Sequence, residues 1–285
     1  MIAQSFEYSA PESLSEALGL LAQPGSRALA GGQSLIPMMK LRLAAPALLV
    51  DLHRVAELHS IGETNGSIRI GAMSTHAQLA SSDTLRKSCA ILADAAGCIG
   101  DVQVRNLGTI GGSLSHNDPA ADYPAALQAV RAQVRLVGRK GDRTVGIDKF
   151  LVDAFTTALQ PGEILAEVMV PADAAGLGWA YLKMQQPASG FAVVGIAAQL
   201  AVTGGKISTA RVGVTGVASC SYRAAAVESA LEGRTAEAAT LAGAARKVAD
   251  GVEPLSDVYA ASDYRAQMAR VSTRRALEAA LARAK

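Results

Sequence analysis

Thr109-Ile-Gly-Gly-Ser-Leu-Ser-His-Asn-Asp-Pro-Ala-Ala-Asp122 gathers a glycine turn, three small hydroxyl side chains, two carboxylates and a helix-start signal within fourteen residues. An earlier glycine turn, Ala30-Gly-Gly-Gln-Ser-Leu35, lies roughly eighty residues upstream. Backbone amides left open at glycine turns and helix starts make good seats for phosphate oxygens. Either turn alone is more simply a tight bend, because glycine is the default residue there. Taken together, with Gln33, Ser34, Thr109, Ser113 and Ser115 adding donors, they point to a large phosphorylated ligand between them. Neither follows GxGxxG or GxxxxGK(S/T), so a Rossmann dinucleotide turn and a P-loop are unsupported.

The chain around them has 285 residues, enough for two or three subdomains with substantial cores. Hydrophobic residues at 50% and charged residues at 18% describe a folded chain rather than a disordered one. A net charge of +2 is too small to imply nucleic acid binding. No apolar run reaches membrane-spanning length, and the N-terminus has no signal-peptide pattern, so a cytoplasmic protein without a membrane span is expected. The three cysteines, Cys89, Cys98 and Cys220, have neither CxxC nor ferredoxin-like spacing and read as buried free thiols.

Taken in order, Ser13-Leu-Ser-Glu16 has capping-box spacing and opens a helix that should stop at Pro24-Gly25. Residues 27–30 read as a strand running into the first turn, residues 38–43 as a short helix, and residues 47–52 as a strand. Residues 67–71 alternate as a half-buried strand does, and a helix is expected over 84–96. Pro119 suits the first turn of a helix capped by Asp118 and running through Val130. Strands over 134–137, 144–147 and 165–170 follow. After a boundary near 173–176 come strands over 179–184, 192–202 and 208–217, then helices over 224–231, 236–249 and 263–284.

Among other candidates, His53 and His59 read as structural or surface residues, while His76 and His116 lie near the turn-rich segments and stay open. On one helix, Asp118 and Asp122 would share a face, with Asp122 pointing to the glycine turn. Carboxylates of that kind accept ribose hydroxyls in dinucleotide sites. Arg270, Arg274 and Arg275 read as a solvated or subunit-facing basic face.

Five motifs in order carry a resemblance: Ala30-Gly-Gly-Gln-Ser-Leu-Ile-Pro37, Met39-Lys-Leu-Arg-Leu-Ala44, Gly71-Ala-Met-Ser-Thr-His76, Arg105-Asn-Leu-Gly-Thr-Ile-Gly-Gly-Ser113 and Asp118-Pro-Ala-Ala-Asp122. Over its whole length the chain resembles the FAD-binding medium subunit of the molybdenum hydroxylases. The family includes carbon monoxide dehydrogenase medium chains and the xanthine dehydrogenase flavin domain. The resemblance implies an α+β protein with a vanillyl-alcohol-oxidase (PCMH-type) FAD-binding fold. Residues 1–175 would form two α/β subdomains, about 1–55 and 56–175. Residues 176–285 would form an α+β domain with a three-stranded antiparallel sheet and helices. By match, Ala30, Gly31, Gly32, Gln33, Ser34 and Leu35 make the first FAD contact segment, and Thr109, Gly111, Gly112 and Ser113 the second. Asp122 matches an acidic FAD contact, and Leu165 and Lys183 match flavin-side contacts. Without the resemblance, Lys183 is an ordinary solvated strand lysine. Added bulk at Gly111 is expected to press on the phosphate.

What the resemblance implies is an electron-transfer subunit with no catalytic side chain of its own. A large partner with a molybdenum cofactor would oxidise substrate, and a small partner with two 2Fe–2S clusters would pass electrons to this FAD. The assembly would be a dimer of heterotrimers. Two departures stand out. Gln185-Gln-Pro-Ala-Ser-Gly-Phe191 lacks the Arg and Asp common there, and the cysteine-bearing insertion of one branch is absent. The competing readings are a self-sufficient flavin oxidoreductase and a scaffold subunit without flavin.

Overall fold

The structure, a computed structural model, describes residues 2–173 and 175–284. The chain opens with β1 (Glu7–Ser9), α1 (Leu14–Leu21), β2 (Ser26–Leu29), α2 (Leu35–Lys40) and β3 (Leu48–Asp51). Ser13 Oγ caps α1 by accepting from the Glu16 amide at 3.2 Å. Leu14, Ala17 and Leu18 then turn inward, onto a parallel sheet ordered β1-β3-β2. That small core continues into Val137, Ile164 and Ala166 of the next layer, so the first subdomain is docked on the second.

The middle of the chain contains β4 (Ile61–Thr64), β5 (Ser67–Gly71), α3 (His76–Ser81), α4 (Asp83–Ser88), α5 (Ala90–Gly97) and α6 (Val102–Leu107). It continues with α7 (Ile110–His116), α8 (Asp122–Ala129), β6 (Gln133–Gly138), β7 (Gly141–Gly146) and α9 (Ile147–Phe150). The hairpin β8 (Leu151–Asp153) and β9 (Thr156–Thr157) and then β10 (Ile164–Pro171) complete it. An antiparallel sheet ordered β4-β5-β10-β6-β7 puts Ile68, Ile70, Val134, Leu136 and Val168 into one core with the helices.

The last region comprises β11 (Gly178–Gln185), β12 (Ala192–Thr203), β13 (Lys206–Thr215), β14 (Tyr222–Arg223), α10 (Ala225–Leu231), α11 (Ala238–Ala245) and α12 (Ser262–Arg283). Its antiparallel sheet is ordered β11-β12-β13-β14, the three expected strands gaining a two-residue fourth. Helix α12 lies on one face of the sheet, so closely that a Cβ at Gly178 would strike the Ala280 carbonyl. Helix α8 lies on the other. All eight residues of α8 are buried, and a Cβ at Gly213 of β13 would strike the Ala125 carbonyl. One helix of the middle region thus shares a core with the five-stranded sheet and packs on the four-stranded one.

Several expectations shift. The helix expected over 38–43 runs Leu35–Lys40, starting straight from the glycine turn with Pro37 in its first turn. The helix expected over 84–96 breaks at Cys89, whose side chain is buried while its backbone leaves the helical region at φ −163° and ψ 61°. Asp118 does not cap α8. Its Oδ1 accepts from the Ala120 amide at 2.8 Å in a local turn, and α8 begins at Asp122, so the two aspartates share no helix face. The boundary expected near 173–176 includes Ala174, which lies outside the described residues. Asp173 is still tied to α4 of the middle region through its N–H to the Ser88 carbonyl, and β11 starts at Gly178.

Candidate functional site

The first glycine turn leaves β2 and enters α2 through Gly32, whose φ of +72° an L side chain adopts only with strain. Among the described residues, no acceptor is found for the backbone N–H groups of Gly31, Gly32, Gln33, Ser34 and Leu35. Ser34 stands at the N-cap of α2 with its hydroxyl making no cap bond. Five consecutive open amides and a free hydroxyl are the donor set of an oxyanion seat. Beside this turn an apolar hollow of about 430 Å³ is lined by Phe6, Leu29, Ile36, Met39 and Leu49, with Tyr8 at its edge.

The two turns meet. A Cβ at Gly31 would strike the Leu107 carbonyl, and one at Gly112 would lie 3.4 Å from the Ala30 Cβ. Yet the second turn does not offer the amides that its glycines suggested. Thr109 Oγ1 caps α7 by accepting from Gly112 N–H at 3.1 Å, and Thr109 O accepts from Ser113 N–H at 3.0 Å. Ile110 N–H donates to Ser74 O at 3.1 Å, and Gly111 N–H to Ala72 O at 2.8 Å. Every amide of that first helical turn is engaged within the chain and Thr109 is itself buried, which leaves the half-buried Ser113 side chain as its means of contact. Gly111 also has a different reason to be glycine. An added Cβ would meet Ala72 Cβ at 2.5 Å, so bulk there presses on the end of β5 rather than on a phosphate.

His76 buttresses this turn. Its backbone N–H donates to Gly108 O at 2.9 Å, and its Nε2 would lie 2.6 Å from a Cβ at Gly108. Its Nδ1 lies 3.0 Å from the hydroxyl of fully buried Tyr123. That hydroxyl has no other partner among the described residues, so it is assigned as the donor and the ring proton is placed on Nε2. Burial, with the Arg105 charge, pulls the imidazole down to about 4. His116, at the other end of α7, packs its ring 5.1 Å from Phe155 and does not reach the turn. His53 and His59 contact each other edge to face, away from it.

Asp122 opens α8, and Lys183 rises from β11 to meet it at 2.9 Å, both side chains only 4% exposed. Lys183 is therefore no solvated strand lysine. Its Nζ also donates to Cys98 O at 2.9 Å, and Tyr181 donates its hydroxyl to the other Asp122 oxygen at 2.6 Å. Burial pushes the carboxyl's pKa up, while the Lys183 charge and both hydrogen bonds oppose the shift. Sequence reasoning missed Tyr181, although it stands two residues before Lys183 on a strand and therefore on the same face. Leu165 is a core side chain, 4% exposed. Its link to the turns runs through the backbone, from Ala166 O to Ala72 N–H and from Ala72 O to Gly111 N–H. The charge-free 185–191 hairpin leans on this region: a Cβ at Gly190 would lie 3.5 Å from Gly100 Cα, and Phe191 is half exposed. Cys89, Cys98 and Cys220 are free thiols, but only Cys89 is buried as expected; Cys220 is half-buried and Cys98 exposed.

The open amides of the first turn suit a phosphate group, and the hollow beside them suits an apolar one. Residues 4–173 match the family described as the FAD binding domain in molybdopterin dehydrogenase, and residues 179–280 match the CO dehydrogenase flavoprotein C-terminal domain. The chain is 41% identical over 285 residues to the carbon monoxide dehydrogenase medium chain of Hydrogenophaga pseudoflava, covering 99% of each. It is 38% identical to the 6-hydroxypseudooxynicotine dehydrogenase complex subunit alpha of Paenarthrobacter nicotinovorans, covering 99% of this chain and 96% of that one. Its fold superposes with a TM-score of 0.97, at 42% identity and full coverage of both chains, on a chain of H. pseudoflava carbon monoxide dehydrogenase lacking the Mo-pyranopterin moiety of the molybdenum cofactor.

Proposed function

The chain belongs to the family of FAD-binding medium subunits of molybdenum hydroxylases, and on that premise we propose that it is the electron-transfer subunit of a three-subunit enzyme. It is an oxidoreductase subunit, and its FAD-binding domain is the part that bears on chemistry. FAD held there would supply the redox chemistry, linking the 2Fe–2S clusters of a small partner to an external acceptor. Substrate oxidation falls to a large partner with a molybdenum cofactor, and the assembly is a dimer of such heterotrimers. The working division is 1–175 for the FAD-binding region and 176–285 for the C-terminal domain. No helix among the described residues is long and apolar enough to cross a membrane, and we place the enzyme in the cytoplasm.

The observation that carries this reading is the row of open amides from Gly31 to Leu35 facing the Thr109–Ser113 turn. In the proposed site Ala30–Leu35 line the pyrophosphate, Gly31–Leu35 by N–H donation, while Thr109, Gly111, Gly112 and Ser113 form the opposing wall. Lys183, held by Asp122, places a positive charge at the flavin end. Leu165 supports that wall from the core. Reconstituting the purified chain with FAD tests the reading. The bound flavin should absorb near 450 nm (roughly, as oxidised flavins do), and Asp122→Ala should retain less of it. A chain that binds no flavin is a scaffold and overturns the proposal. Rapid oxidation of an organic substrate or NAD(P)H by the isolated chain overturns it in favour of a self-sufficient oxidoreductase.

A further inference from the structure

We propose that Tyr181 is a positioning residue of the cofactor site, its hydroxyl fixing the Asp122 carboxylate so that the Lys183 ammonium keeps one N–H for the cofactor. The C-terminal sheet is built around this contact. Across three strands, Lys183 of β11 pairs with Gly195 of β12, and Gly195 with Thr215 of β13. A Cβ at Gly195 would lie 2.8 Å from the Tyr181 hydroxyl and 2.6 Å from Thr215 Cγ2. Only glycine leaves the slot through which the hydroxyl reaches Asp122.

The same row suspends the loop that leads into α8. Thr215 Oγ1 lies 2.9 Å from Pro119 O and 2.7 Å from Ala121 O, Gly216 N–H donates to Pro119 O, and Ala192 N–H donates to Ala120 O. The loop's carbonyls are thus held by the Thr215 hydroxyl and two backbone amides, and the carboxylate at its end by Tyr181 and Lys183. Two of the three Lys183 donors are committed, to Asp122 and to Cys98 O, and the third has no partner among the described residues.

A phenol donating to a buried carboxylate at 2.6 Å is a charge-assisted bond, about twice as strong as a neutral one. It favours the ionised carboxylate, against the burial that favours the acid. The other groups that face the carboxylate are Lys183 of β11, Tyr123 of α8 and Cys98 after α5, with Asp94 and Arg105 acting on the same patch through Cys98. Protonating Asp122 would remove the counter-charge of Lys183 and let the ammonium move.

The inference rests on the site holding FAD, so the test separates the two. FAD dissociation is measured against pH for the full chain, Tyr181→Phe, Asp122→Asn and the double variant, with thermal midpoints alongside. Tyr181→Phe is expected to weaken FAD retention about tenfold at neutral pH, as loss of a bond to a charged group does. It should also move the acid limb of retention to higher pH. In the Asp122→Asn background it should add nothing. Site-specific 3-fluorotyrosine at position 181 keeps the fold and donates more strongly, so it should move the limb to lower pH. An acid limb unmoved by either replacement, or an equal loss from Tyr181→Phe with and without Asp122, overturns the positioning role. Failure of the unaltered chain to retain FAD overturns the functional reading, and this role with it.

Discussion

At the scale of single residues, the Asp122–Lys183 pair responds unevenly to mutation because both side chains are sealed from water. Lys183→Met leaves a carboxylate buried beside a tyrosine hydroxyl, and breaking a buried pair from one side costs about 3–5 kcal/mol. Replacing both residues, as Asp122→Leu with Lys183→Met, removes the stranded charge and should restore most of that loss in urea unfolding. Two other buried groups set opposite pH slopes. His76 is held down at about 4 and is neutral in the fold. The unfolded chain takes up its proton first, so the stability contributed above the ordinary 6.5 is lost as pH falls toward 4. Burial raises Asp173 from 3.8 to about 6, with the Gln199 hydrogen bond opposing. Its contribution is present at low pH and is lost as pH rises through 6. His76→Gln should flatten the acid-side loss and Asp173→Asn the opposite slope, read as thermal midpoints between about pH 4 and 7. Composition gave no access to these shifts, since each arises chiefly from burial by the tertiary fold, with the Arg105 charge adding to the fall at His76 and Gln199 opposing the rise at Asp173.

At the scale of elements, the two turns are held together by absent side chains. Gly31→Ala puts a methyl group into the Leu107 carbonyl, and separating the turns should cost about 3 kcal/mol, in the upper range for overpacking. FAD retention should fall with it. Gly19→Ala in α1 is the control: nothing lies within 4 Å of the new Cβ, and the helix should gain about 1 kcal/mol in the same unfolding assay. Local signals that satisfied themselves locally were readable, such as the Ser13 cap and the period-two run of β5. The box Thr75-His-Ala-Gln78 announced α3 just as plainly, with both reciprocal bonds formed, and was overlooked. The break at Cys89, a residue buried in the core, had no such local signal. The late start of α8 depends on Thr215, Gly216 and Ala192, which hold the turn at residues 119–121 from another region of the chain. The site was legible as two glycine turns and an aspartate, but which turn kept its amides open was a question of tertiary partners such as Ser74 and Ala72.

At the scale of the whole molecule, α8 makes the FAD-type region and the C-terminal sheet a single cooperative body. Its eight buried residues pack against both, and β13 approaches its backbone closely enough to require Gly213. Calorimetry should therefore record one unfolding transition, with calorimetric and van't Hoff enthalpies in agreement. A fragment of residues 1–175 should fail to retain FAD, because it lacks Tyr181, Lys183 and Thr215 and exposes α8; flavin absorbance after reconstitution checks this. Strand content was visible in the sequence, whereas the insertion of β10 between β5 and β6 was not, since no local pattern encodes a pairing about a hundred residues away. The engaged amides of the second glycine turn bear on how descendants of such a chain would drift. Gly111 and Gly112 answer to Ala72, Thr109 and Ala30, so a lineage that abandoned its cofactor would still have to keep them. Gln33 and Ser34, with open amides and no cap bond, would be released first. The more conspicuous motif would then certify ancestry, and the plainer one would register whether the ligand was still in use.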